Sequence, residues 1–301
     1  MSGAPAHAGG DQRCLRRGDP GWPASLEHLA QPPAELWVRG GLWPPPEAAV
    51  AVVGARAATL TGLEVARDLG RELAATGVLV ISGLARGIDA AAHRGALEAG
   101  GPTLAVLGCG VDVCYPRGHE RLFAAVCGAG AVVSEDPPGT EPVTWRFPRR
   151  NRIIAALAVA VVVVEAGDRS GALSTARHAA DLGRDVFAVP GSVRSPQSRG
   201  TNRLLRDGAI PLLELEDLAA AVPELALTGL RRRAARPGTP PDDPSLRALL
   251  ELVGTDPVHP DQLSEATGAG AAEIAVRLCA LELGGWVHSL PGGRVSRAGG
   301  R

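Results

Sequence analysis

From Ala49 onward the chain repeats one pattern, a short run of β-branched and other apolar residues followed by a longer amphipathic stretch, about every 25 residues. The runs cover 50–53, 78–82, 103–107, 131–134, 159–165, 185–189 and 210–213. They are too short for helices and lack polar alternation, so they predict seven strands buried on both faces. The stretches between them carry helical spacing. One spans 62–75 and is stopped by Gly77; another spans 88–99 and is stopped by Gly100 and Gly101, glycine being favoured where a helix ends left-handed. Strands alternating with helices predict an α/β fold, a Rossmann-like doubly wound and mainly parallel sheet with helices on both faces.

The flanks break this rhythm. Residues 1–34 are rich in Gly, Ala, Pro and charge with a weak apolar pattern, and predict a flexible lead-in to a core over 35–229. Residues 230–243 are rich in arginine and proline, a linker composition. Helical patterns over 246–253, 260–267 and 271–283 follow, then a hairpin over 286–295 turning at Gly292 and Gly293. Three helices and a hairpin predict a small winged-helix-like domain over 244–301.

Composition narrows the function classes. At 301 residues, 45% apolar and 21% charged, the chain can bury a core without disulfides or metal. Five scattered cysteines with no CxxC pair argue against a disulfide framework and a zinc site, and fit a reducing compartment. No apolar run approaches the roughly 18 residues of a membrane span, and no secretory apolar stretch opens the chain, so a cytoplasmic location is expected. A formal net charge of −1 is silent about nucleic acid, so local charge must carry any such case. Lysine is absent, which leaves all the basic side chains as arginine. Against this biased background the two asparagines, Asn151 and Asn202, and the single tyrosine, Tyr115, all fall in loop motifs.

In a parallel sheet, ligands bind beyond the carboxyl ends of the strands. There the strands run into GARAATLTG, SGLARGIDAAAH, GCGVDVCYP, EDPPG, EAGDRSGALSTA and PGSVRSPQSRGTN. Small residues allow close backbone approach, hydroxyls and N–H groups donate, and arginine forks match phosphate oxygens. The pattern asks for an anion. WRFPRRNRII adds Arg146, Arg149, Arg150 and Arg152 with no acid among them, either a phosphate clamp or a solvated basic turn. Gly54 and Arg56 lack the spacing of a dinucleotide fingerprint. Asp89 could simply satisfy N–H groups at a helix start with Arg86 or His93 beside it, and Ser170, Gly171 and Thr175 could be only a helix cap.

These motifs together resemble the DNA-processing protein A (DprA/Smf) family over about 36–213. The likeness lies in the GxR turn (Gly54, Arg56), SGxARGID and its following His93 (Ser82, Gly83, Arg86, Gly87), Tyr115-Pro116, Ser134-Glu135, FPxRNRII from Phe147, EA…SG…TA (Glu165, Ser170, Gly171, Thr175) and PG…GxN (Pro190, Gly191, Gly200, Asn202). The resemblance implies a non-enzymatic protein without cofactor or metal that binds single-stranded DNA in a basic pocket at the sheet rim. It further implies a homodimer that loads a RecA-type recombinase during natural transformation and recombination. By motif, Arg56, Arg86, Arg150 and Arg152 would contact phosphates, Ser82, Gly83, Ser170, Gly171 and Thr175 would supply donors, and Asn151 and Asn202 would order loops.

The lead-in is too short for the helical domain that many members carry, and arginine must replace their lysines. With 3% aromatic residues, base stacking is expected to add little to phosphate neutralisation. A nucleotide phosphoribohydrolase on the same core would need a PGGxGTxxE loop, whose glutamate is missing here, although Asp89 and Glu165 could form a carboxylate pair. An adaptor acting through its last domain and linker is a third reading.

Overall fold

The computed structural model describes residues 12–225, 243–254, 257–283, 286–290 and 293–297. The chain divides into two compact units, Met1–Arg231 and Arg232–Arg301.

The first unit is built on nine strands: β1 (Gln12–Arg16), β2 (Glu35–Gly40), β3 (Ala49–Val53), β4 (Leu79–Ser82), β5 (Thr103–Val106), β6 (Ala131–Ser134), β7 (Ala160–Val163), β8 (Asp185–Ala188) and β9 (Ile210–Pro211). They lie in the order β1-β2-β6-β5-β4-β3-β7-β8-β9. From β3 to β9 every pairing is parallel, whereas β2 joins β6 and β1 joins β2 antiparallel. The helices are α1 (Leu60–Ala75), α2 (Ile88–Glu98), α3 (Glu120–Ala129), α4 (Arg146–Leu157), α5 (Ala172–Asp181), α6 (Arg199–Arg206) and α7 (Glu216–Ala221).

Alternate side chains of each short strand supply opposite cores. Ala51 and Val53 pack with Ile81, Val106 and Val163 under α4 and α5. Val50 and Val52 pack with Val80, Val162 and Phe187 under α1, α2 and α7. Burying each of these valine, isoleucine and phenylalanine side chains contributes about 1.5–3 kcal/mol, enough in sum to hold strands of only four residues.

From Gln12 the expected lead-in is instead part of the fold. Gln12 pairs with Arg39 and Arg16 with Glu35, so β1 covers the sheet's edge. Leu26 and Leu29 are buried in the core that α4 shares. The apolar signal is weak because β1 is half-buried and interleaves arginines, QRCLR.

The second unit has three helices, α8 (Pro244–Leu252), α9 (Pro260–Thr267) and α10 (Ala271–Leu283), and an antiparallel hairpin of β10 (Val287–Leu290) and β11 (Arg294–Arg297). Its own core joins Leu249, Val253, Leu263, Ile274, Leu281 and Trp286. Asp243 caps α8 by accepting from Ser245 N at 2.7 Å, and His259 with Gln262 forms a capping box on α9. The expected linker up to 242 and the turn residue Gly292 lie outside the described residues. No described helix is long and apolar enough to cross a membrane.

Candidate functional site

The winding of the sheet reverses at β3, with β4, β5 and β6 on one side and β7, β8 and β9 on the other. Loops leaving β3 and β7 therefore part and leave a crevice. Ala55 N donates to Glu165 O at 2.7 Å and ties the two loops together. A cavity of about 620 Å³ lies here, walled by Gly54 and Arg56, by Phe147, Arg150 and Asn151 of α4, and by Arg169, Ser170, Gly171 and Thr175 at the start of α5. A second cavity of about 280 Å³ shares Arg56, Ala85, Phe147 and Arg150 with it and adds Gly83, Arg86 and Tyr115.

The basic stretch is neither a clamp nor a turn but the opening of α4. At 100° per residue, Arg149 and Arg152 share one face, whereas Phe147, Arg150, Asn151 and Ile154 share the face that lines the crevice. Arg152 donates to both oxygens of Glu135 at 2.8 and 2.7 Å and to Gln31 O at 3.0 Å. Arg149 donates to Glu135 at 2.9 Å and Asp136 at 3.0 Å. Arg146 donates to Glu141 O at 2.6 Å and lies 3.5 Å from Asp136. Burial pushes the Glu135 carboxyl up, but the hydrogen bonds and charges of Arg152 and Arg149 more than offset this and hold it below the usual range. Arg152 is therefore a structural ion-pair residue outside both cavities, not the phosphate contact expected from sequence.

Arg150 faces the crevice but is buried, with side-chain exposure of 5%. Its guanidinium donates to Asn151 Oδ1 at 3.1 Å, to Gly83 O at 2.8 Å and to Val106 O, and its Nη2 lies 4.0 Å from Asp89 Oδ2. Burial lowers its pKa to about 10; Asp89 opposes the shift and Arg56 adds to it. Arg150 thus supplies a buried positive charge rather than a free fork.

Arg56, Arg86 and Arg169 are exposed, and no hydrogen bond or ion pair within the described residues occupies their guanidinium groups. Arg56 lines both cavities, Arg86 the smaller and Arg169 the larger. The amino end of α5, positive through its dipole, reaches the same space through Ser170, Gly171 and Ala172. Arginine forks and helix amides are groups whose chemistry matches phosphate-like oxygens, and both border this crevice.

The remaining sequence candidates divide. Ser82 is buried, lines neither cavity and donates its hydroxyl to Val52 O at 2.6 Å, so it is part of the sheet rather than a free donor. Gly83 is forced by contact, since a Cβ there would lie 2.0 Å from Arg150 Nη2. Gly87, at φ 76°, turns the chain into α2 outside both cavities, and a Cβ there would lie 2.2 Å from Ala55 O. Between them Leu84 sits at φ 55°, a strained conformation for a bulky residue, held by complete burial. Asp89 accepts from Gly83 N at 3.1 Å and Ala85 N at 3.3 Å, and Arg150, not Arg86 or His93, is its cation. Burial pushes the Asp89 carboxyl up, against the pull of Arg150 and these amides.

His93 is fully buried with Nδ1 2.8 Å from Thr103 Oγ1 and no partner for Nε2, and burial depresses it to about 3. Glu165 is not a cavity wall, because Thr59 N and Oγ1 donate to it at 2.9 and 2.5 Å at the start of α1. Asn151 donates to Gly171 O and Ser174 Oγ, linking α4 to α5 at the cavity. Asn202 brackets Gly191 through N–H and C=O at 3.2 and 2.9 Å, away from both cavities.

Two features escaped the sequence reading. Arg169 is a cation with no ion pair among the described residues, and its only signal is its place in the glycine-containing EAGDRSG loop. The scarce aromatics also gather at the site: Tyr115 and Phe147 stack with centroids 5.2 Å apart, and Arg56 lies 5.2 Å over Phe147.

Residues 13–223 match the model of the DNA recombination-mediator protein A family, and residues 233–293 match the DprA winged helix domain. Protein Smf of Escherichia coli is 39% identical over 279 residues, covering 91% of this chain and 74% of that protein. A relative from Mycobacterium tuberculosis is 43% identical, and this chain spans 65% of its length. The solved structure of DNA processing protein A from Streptococcus pneumoniae is 37% identical, with TM-score 0.65 over 70% of this chain and 74% of that one. That of Helicobacter pylori, described for its single-stranded DNA binding mode, is 28% identical, with TM-score 0.62 over 69% of this chain and 94% of that one. The chain belongs to the DNA recombination-mediator protein A (DprA/Smf) family.

Proposed function

We propose that this chain binds single-stranded DNA along the two joined cavities and, as a homodimer in the cytoplasm, passes the strand to a RecA-type recombinase during DNA uptake and recombination. The observation that carries the DNA part is the convergence of Arg56, Arg86 and Arg169, exposed and without acidic partners among the described residues, around a crevice backed by Arg150. The Helicobacter pylori relative supports the choice of a single strand. Family membership supports the dimer and the recombinase, and five free cysteines fit a reducing compartment. Binding rather than catalysis is favoured because Asp89 is occupied by two backbone amides and Glu165 by Thr59, leaving neither placed to activate water.

Anisotropy titrations with single- and double-stranded oligonucleotides across a salt series test the reading. Single strands bind more tightly, and log affinity falls with log salt by about 0.7 per phosphate neutralised. Arg56→Ala and Arg169→Ala each weaken binding alike for all sequences and reduce that slope by about one phosphate's worth. A flat salt dependence, or equal affinity for duplex, overturns it.

A further inference from the structure

The basic surface does not end at Arg86. A groove of about 670 Å³ lies between the later turns of α2 and the opening of α3, bordered by Arg94, Arg121 and Gly118. Gly118 is two residues from Pro116, which lines the smaller cavity, so the backbone dividing cavity from groove spans at most about 7 Å. Arg117, exposed, is the residue between them. His119 Nδ1 lies 3.2 Å from Leu84 O, which holds this divide against the loop that bears Arg86. Burial lowers the His119 pKa, and the charges of Arg94 and Arg86 lower it further, so one ring feels an arginine of the groove and an arginine of the cavity.

These cations are available. Arg94, Arg117 and Arg121 are exposed, and no hydrogen bond or ion pair within the described residues occupies their guanidinium groups. The two carboxylates that border the groove are engaged elsewhere: Glu98 accepts from Arg67 at 2.7 Å, and Glu120 accepts from Gly118 N at 2.9 Å. A single strand carries a phosphate at every nucleotide, so one too long for the crevice brings further phosphates to the surface that borders it, and arginine forks match their oxygens. We infer that Arg94 and Arg121 form a second phosphate-binding segment, onto which the strand continues from the smaller cavity past Arg117. The inference rests on the single-strand reading above.

Salt-series anisotropy of the full chain with oligothymidylates of increasing length tests it. In the wild type the slope of log affinity against log salt steepens with length and levels off once crevice and groove are both filled. Arg94→Ala combined with Arg121→Ala leaves the shortest strand that binds unaffected but lowers the plateau slope by about 1.4, two phosphates at about 0.7 each. Arg94→Lys combined with Arg121→Lys keeps the wild-type plateau, because a point charge neutralises a phosphate as a fork does. A wild-type plateau in the double alanine variant, an equal loss for the shortest and longest strands, or a lysine variant as weak as the alanine one overturns the second segment. If the wild type binds no oligothymidylate, the single-strand reading itself falls. If Arg56→Ala weakens binding at every length while the double alanine variant matches the wild type throughout, only the second segment falls.

Discussion

Replacing Arg150 with alanine separates two roles that the arginines of residues 146–152 present alike in sequence. The side chain is buried and donates to Asn151, Gly83 O and Val106 O beside Asp89. Its removal leaves a buried carboxyl and two carbonyls without their cation, and breaking a buried pair from one side costs about 3–5 kcal/mol. Asp89, already pushed up by burial, rises further once Arg150 is gone, which lessens the charge left unpaired and favours the lower end of that range. At about 2–4 °C per kcal/mol for a domain of this size, a loss of about 3 kcal/mol lowers the melting midpoint by roughly 6–12 °C. Differential scanning fluorimetry and urea denaturation read this directly. Arg56→Ala is the control: its exposed side chain leaves stability within about 0.5 kcal/mol while the DNA salt slope falls. Arg150→Met with Asp89→Asn recovers part of the loss, since no charge is then buried alone. An Arg150→Ala protein with the wild-type midpoint and lost DNA affinity would show that Arg150 is a free phosphate fork and refute the reasoning.

Two further outcomes follow from groups outside the cavities. Arg152→Ala leaves single-strand affinity and salt slope unchanged but destabilises by about 1–3 kcal/mol, because Glu135 keeps only Arg149; a lost phosphate contact in the titration would contradict this. His93, at about 3 when folded against an ordinary 6.5, binds fewer protons folded than unfolded. Its contribution is therefore complete above about pH 6.5 and is lost as pH falls from there toward 3. Between pH 7 and 5 the wild type should lose about 2 kcal/mol more than His93→Gln in urea denaturation, and equal losses would remove His93 as the cause.

How legible each element was depended on how many of its faces are buried. The strands from β3 to β8 are covered on both sides, so runs such as Val50–Val53 within β3 read as unbroken apolar sequence. By contrast β1 covers an edge and mixes Arg13 and Arg16 with Cys14 and Leu15, and nothing in five such residues distinguishes a strand from a solvated arm. The opening of α4 was hidden for a different reason. Only Ile153 to Leu157 carry an apolar pattern, because the first turns bury Arg150 and Asn151 against the crevice instead of hydrocarbon against the core.

The same helix explains how far the site could be read. Four arginines in seven residues look interchangeable until the α-helical rotation is imposed, which puts Arg149 and Arg152 together and turns Arg150 away from them. Their partners come from chain positions that composition cannot associate with them: Glu135, fourteen to seventeen residues upstream, and Asp89 in α2. An arginine becomes a ligand group or a strut according to the distance of the nearest carboxylate, and only the fold sets that distance. Glu135 and Asp136 neutralise the arginines on the outer side of α4. On the crevice side Asp89 is already bound by two amides and Arg150, and Asp168 lies 3.6 Å from Arg199, so among the described residues no carboxylate forms an ion pair with Arg56, Arg86 or Arg169.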